Sequence, residues 1–97
     1  MSKEGYILSR ISGPELLAQL AEEATELAHA ALKLRRAYDG VNPTPVSRGD
    51  ALEAVKEEIA DVWLLLEMLD LDQYDADFNR IKREKLDRWV RRLEGKQ

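Results

Sequence analysis

The residues of this chain best placed to do chemistry are carboxylates: Glu22-Glu23-Ala24-Thr25-Glu26 and, later, Glu58-Ile59-Ala60-Asp61. On α-helices, residues three or four apart stand one turn above each other, so Glu23 projects beside Glu26 and Glu58 beside Asp61. Two such helices packed together bring four acids into one place. Like charges a few Å apart in a partly dry site cannot all stay ionised, and a hard divalent cation relieves them. Carboxylate oxygens suit Mg²⁺ or Mn²⁺, and Mg²⁺ commonly arrives with phosphates attached. The sole histidine, His29, follows Glu26 by three residues and forms one E-x-x-H. Di-iron bundles carry a second copy of that motif, which is missing here, so the expected site is all-oxygen.

The elements that must position these acids are helices. Ser12-Gly13-Pro14-Glu15 predicts a helix start, with Ser12 as N-cap, Pro14 in the first turn and Glu15 completing an S-x-x-E capping box. From there Leu17, Leu20, Ala24, Leu27, Ala31, Leu34 and Tyr38 predict the packed stripe of a helix running to about residue 38. Asp39-Gly40 stops it, because Gly readily takes the left-handed conformation of a helix end. The connection at 41–47 holds Pro43 and Pro45 and is not helical. Ser47-Arg48-Gly49-Asp50 reads as the next cap, and its Arg-Gly-Asp tripeptide is too short to count as an adhesion motif.

A second long helix, about 49–70, carries Leu52, Val55, Ile59, Val62, Leu66 and Leu69 on one face, with Glu58 inside that stripe. A buried carboxylate needs a partner or a metal. The segment Trp63 to Leu69 is apolar around most of its circumference, which predicts a subunit interface. The acidic turn at 69–75 lacks the Gly and the Glu of a calcium loop. The last helix, about 75–94, is expected to bury Phe78, Ile81, Leu86, Trp89, Val90 and Leu93. Residues 1–11 show no clear period and read as a short or frayed lead-in.

Ninety-seven residues make one domain, 1–97 with a core of about 14–93, near the size where a single core is only just adequate. Oligomerisation is a natural expectation. The chain has no Cys, which excludes a disulfide framework, a thiolate zinc site and a thiol nucleophile, and fits a reducing cytoplasm. Its amino terminus has no apolar core of a signal sequence, and its longest apolar run, Val62 to Leu66, is far too short for a membrane span. The net charge of −4 argues against general affinity for nucleic acid. Charge is unevenly spread, however: residues 80–92 hold seven basic side chains against Glu84 and Asp87, while residues 15–26 hold four acids and no base.

Glu22-Glu23-x-x-Glu26 followed by Glu58-x-x-Asp61 resembles the E-E-x-x-E and E-x-x-D signature of the all-α nucleoside triphosphate pyrophosphatases, the MazG-like superfamily. The short phage and bacterial MazG-like proteins look most similar, through Gln19-Leu20-Ala21-Glu22-Glu23, Ala31-Leu32-Lys33-Leu34, Asn42-Pro43-Thr44-Pro45 and Arg88-Trp89-Val90-Arg91-Arg92-Leu93. The likeness covers about residues 14–93. It implies an all-α, antiparallel helical bundle completed by dimerisation, either a homodimer or a dimer-based tetramer. It also implies Mg²⁺, or Mn²⁺, held by Glu23, Glu26, Glu58 and Asp61, and cleavage of nucleotides between the α and β phosphates to give a monophosphate and pyrophosphate. By the same similarity Asn79, Lys82, Arg83 and Lys85 would meet the phosphates. Gln19 is a further substrate-contact position, where the family often has Lys. Thirty-one residues separate Glu26 from Glu58, more than in typical members.

Physical chemistry agrees with that implication. Phosphoanhydride hydrolysis needs charge neutralisation, cations for the leaving group and a positioned water; Glu22, the acid left without a metal role, is the candidate to orient or deprotonate the water. Two other readings use the same residues. One is phosphoribosyl-ATP pyrophosphohydrolase of histidine synthesis, whose gap between motifs is shorter and whose amino-terminal segment has no counterpart here. The other is a non-catalytic helical interaction module with its acids solvated or paired to the basic helix.

Overall fold

Each helix of this chain begins where a short polar side chain can accept from an otherwise unpaired N–H. The computed structural model describes residues 1–40, 46–71 and 75–95, and within them the chain is all-helical: α1 (Lys3–Arg10), α2 (Gly13–Asp39), α3 (Arg48–Met68) and α4 (Ala76–Leu93). Ser2 Oγ accepts from the Gly5 N–H at 2.9 Å, Ser12 Oγ from the Glu15 N–H at 3.3 Å, and Ser47 Oγ from the Asp50 N–H at 3.1 Å. The Asp75 carboxylate takes the Asp77 N–H at 2.8 Å. The Ser12 hydroxyl also donates to Glu15 Oε1 at 3.2 Å, which tightens the expected capping box. Gly40, at φ 67°, ends α2 in the left-handed region as its sequence predicts. The first helix was not legible as a period, yet its own Ser2 cap forms it. The proline-containing connection, apart from Val46 and Ser47, and residues 72–74 of the acidic turn lie outside the described residues.

α2 and α3 run antiparallel and make the one extensive helix–helix contact among the described residues. At one end Gln19 and Glu23 of α2 share a cavity with Asp61 and Met68 of α3. At the other end the Arg48 guanidinium donates to the carbonyls of Ala37 and Tyr38, at 3.4 and 3.3 Å, and lies 4.9 Å over the Tyr38 ring. Arg48 thus ties the start of α3 to the carboxyl end of α2, whose last carbonyls lack helical partners.

The packed stripe of α2 differs from expectation by one residue. Leu16, Leu20, Glu23, Leu27, Ala30, Leu34 and Ala37 form the covered row, with Leu16 only 1% exposed, whereas Leu17, Ala24, Ala31 and Tyr38 face outward. Leu20, Leu27 and Leu34 belong to both rows, so the pattern alone left a choice between Leu16 and Leu17 and between Ala30 and Ala31. Packing against α3 decides it, and the consequence is that Glu23 stands in the covered row. The covered positions of α3 include Ala51, Val55, Glu58, Val62, Leu65 and Leu66, with Leu69 covered just past its end, while Leu52 and Ile59 of the expected stripe are exposed.

The largest correction concerns α4. Phe78, Ile81, Leu86, Trp89, Val90 and Leu93, expected in the core, are all exposed, Trp89 at 63% and Leu93 at 80%. No described helix packs extensively against α4, so among the described residues its apolar face is left uncovered. The radius of gyration is 17.3 Å, and the extents are 47 × 41 × 19 Å. A compact domain of this length has a radius of about 13 Å. Among the described residues no helix is long and apolar enough to cross a membrane.

Candidate functional site

Because α2 and α3 run antiparallel, the covered row of α2 meets the covered row of α3 residue by residue. Glu23 therefore comes opposite Glu58 and Asp61, which stand one turn apart on α3. One carboxylate oxygen from each of Glu23, Glu58 and Asp61 lies within 4.8 Å of the other two. Glu23 and Glu58 are half-buried, and Asp61 is exposed. Glu58 Oε2 is buried and has no hydrogen-bond partner among the described residues, because neither neighbouring carboxylate, when ionised, has a proton to give.

The cost of this crowding falls on Glu23. Its carboxyl is raised from 4.5 to about 7. A hydrogen bond to Glu58, which the protonated form alone can make, is the chief cause, followed by desolvation, by the negative charges of Asp61 and Glu58, and by hydrogen bonding to Asp61. Near neutral pH the cluster therefore holds a proton for part of the time. A divalent cation can take that place, since carboxylate oxygens are the donors Mg²⁺ and Mn²⁺ prefer. The donor set and the unpartnered Glu58 oxygen fit such an ion.

The other expected site residues fall into two groups. Glu22 and Glu26 are on α2 beside Glu23 but are exposed, and Glu26 is outside the group of converging oxygens. Gln19, one turn before Glu23, lines a cavity of about 210 Å³ together with Glu23 and Asp61. Asn79, Lys82, Arg83 and Lys85 are on α4, where Asn79 is half-buried and the other three exposed. None of the four lines that cavity. Lys85 instead borders a recess of about 470 Å³ with Arg88, Trp89, Arg92 and Leu93 of the same helix.

Within α4 the Arg80 guanidinium bridges Asp77 at 2.6 Å and Glu84 at 3.0 Å, which raises its pKa further. Those are the only ion pairs of α4 among the described residues. Among the described residues its other cations make no ion pair, and none of them pairs with α2. Sequence reasoning missed the apolar neighbours of the carboxylates, Ile7 and Ile11 from α1 and its exit and Leu64 and Met68 from α3. The four-residue spacing of Ile7 and Ile11 was the available signal. Comparison of the chain with models of known protein families, with curated protein sequences and with solved structures finds no match.

Proposed function

We propose that this chain is a Mg²⁺-dependent nucleoside triphosphate pyrophosphohydrolase of the MazG-like kind, cleaving the α–β phosphoanhydride to a nucleoside monophosphate and pyrophosphate. The observation that carries the reading is the convergence of Glu23, Glu58 and Asp61 within 4.8 Å across two helices, with Glu58 Oε2 left without a partner. Glu23, Glu58 and Asp61 would hold the cation, with Glu26, one turn along α2, as the fourth candidate. When bound, Mg²⁺ (or Mn²⁺) supplies neutralisation of the charge that develops on the phosphates.

The chain's own residues do the rest. Glu22, adjacent to the cluster and free of it, orients the attacking water and accepts its proton. Lys82, Arg83 and Lys85, which make no ion pair among the described residues, attract the phosphates, and Asn79 adds hydrogen bonds without charge. These residues reach a site through a second copy of the chain, which completes the helical bundle. Two features support that copy. One is the uncovered apolar face of α4. The other is charge: α4 has seven basic against three acidic residues, and α2 with α3 has eleven acidic against five basic.

The test is pyrophosphate release from a panel of canonical and damaged NTPs and dNTPs, with phosphoribosyl-ATP included, in the presence and absence of Mg²⁺. Release from nucleoside triphosphates with Mg²⁺ alone supports the reading. Hydrolysis confined to phosphoribosyl-ATP would replace it with that enzyme. No release, together with no thermal stabilisation by Mg²⁺, would leave a helical interaction module that docks through α4.

A further inference from the structure

Two rows of α2 are apolar enough to pack. The covered one holds Leu16, Glu23, Ala30 and Ala37, the outward one Leu17, Ala24, Ala31 and Tyr38, and Leu20, Leu27 and Leu34 belong to both. Turning α2 about its own axis by about 60° exchanges them. Only the first row carries Glu23 towards Glu58 and Asp61, so the acidic cluster is assembled in one rotation of α2 and taken apart in the other. The cluster itself favours the second, because three converging acids repel when ionised. Apolar contact is non-directional and tolerates both.

Arg48 does not. Apart from the proton that Glu23 can share with Glu58, it is the only side chain that hydrogen-bonds one helix to another among the described residues; every other side-chain hydrogen bond and ion pair joins residues at most four apart. Its Nε donates to the Ala37 carbonyl at 3.4 Å, its Nη2 to the Tyr38 carbonyl at 3.3 Å, and its guanidinium lies 4.9 Å over the Tyr38 ring. Consecutive carbonyls stand about 100° apart around a helix axis, so one planar fork that meets both fixes rotation as well as height. Tyr38 belongs to the outward row, and the stack on Arg48 holds its ring there. Ala37 belongs to the covered row, 14 residues after Glu23 and about 21 Å along the same helix. We infer that Arg48 is a positioning residue for the acidic cluster: by gripping the end of α2 it locks the rotation in which Glu23 meets Glu58 and Asp61, and so keeps the cation site assembled. The inference rests on the reading of that cluster as a cation site.

The experiment compares wild type, Arg48→Ala and Arg48→Lys as full chains with labelled leucine methyl groups and a soluble paramagnetic probe. In wild type the signals of exposed Leu17 are broadened and those of buried Leu16 are protected. Both variants are expected to exchange the two with helical ellipticity retained, since Lys keeps the charge at the end of α2 but not the fork. Their affinity for Mg²⁺, read by calorimetry, is expected to fall by about tenfold or more, the scale of a group that orients metal ligands. Adding Ala31→Glu to either variant puts a carboxylate in the outward row, where burying it is costly, and is expected to restore both the Leu16 protection and the Mg²⁺ affinity. A tie that serves stability alone would lower the thermal midpoint and leave the methyl pattern and the Mg²⁺ affinity as in wild type. That result overturns the inference, and so does a loss of ellipticity or of Leu16 protection that Ala31→Glu fails to recover. Exchanged protection, with no Mg²⁺ binding by any of the chains, upholds the lock on rotation and sinks the cation site.

Discussion

Glu23 is the residue on which the acidic cluster leaves its clearest mark, and its behaviour with pH can be worked out. An acid whose pKa rises from 4.5 to about 7 on folding binds more proton in the native state than in the unfolded state between those values. Without a divalent cation, stability from this group is therefore fully present below 4.5 and is lost as pH rises through about 7. The thermal midpoint is expected to fall over that window, and Glu23→Gln, which cannot ionise, is expected to flatten the fall; an unchanged slope in the variant would remove Glu23 as its source. Mg²⁺ competes with the same proton, so its affinity is expected to weaken as pH drops below about 7, read by calorimetric titration. For Glu58→Gln, hydrolysis is expected to drop by more than about 100-fold, since even outer partners of a metal site are worth about 10–100-fold. That variant should stay folded and be no less stable, because it removes charge from a crowded site. The spacing of Glu58 and Asp61 and the place of Glu58 in an apolar stripe were readable from sequence. That Glu23 rather than Glu26 meets them was not, because one-turn spacing puts both on the same side of α2 and only the face of α3 separates them.

At the scale of the element, helix ends were more legible than helix faces. A cap is a local event: Ser12, Ser47 and Gly40 act on backbone groups within a few residues, and each does so here. A face is chosen by a partner. α2 has apolar residues on both sides of the row shared by Leu20, Leu27 and Leu34, and α3 selects the side with Leu16. This choice is measurable. Leu16→Ala is expected to lower stability by about 2–5 kcal/mol, as for other buried leucines, whereas Leu17→Ala, at a half-exposed site, is expected to stay within about 0.5 kcal/mol. Equal losses in urea denaturation would return the stripe to the other row. α1 escaped notice for a related reason. An eight-residue helix has too few turns to show a period, and it is marked chiefly by Ser2 and by the pair Ile7 and Ile11 that faces the cavity.

At the scale of the molecule, the exposed face of α4 is a physical problem that the chain alone does not solve. Tryptophan and leucine side chains left in water forgo the burial that stabilises a helix of this length, and the 17.3 Å radius reflects a helix held away from the α2–α3 pair. Trp63 of α3, 47% exposed, adds a second uncovered apolar group. A sequence pattern reports that a helix face is apolar but not which chain covers it, so burial of Phe78, Trp89 and Leu93 was expected within one chain. In the reading adopted here a second copy covers them, and the basic α4 lies over acidic helices of its partner. Sedimentation equilibrium is then expected to show a dimer or a tetramer whose association weakens with added salt, since charge complementarity between exposed groups is screened. Trp89→Asp is expected to yield a monomer that keeps the α2–α3 pair, seen as retained helical ellipticity, and that loses hydrolysis because Lys82, Arg83 and Lys85 no longer reach a site. A monomeric variant with full activity would show that each copy is catalytically complete, and a wild-type chain that stays monomeric at all concentrations would require a different partner for α4.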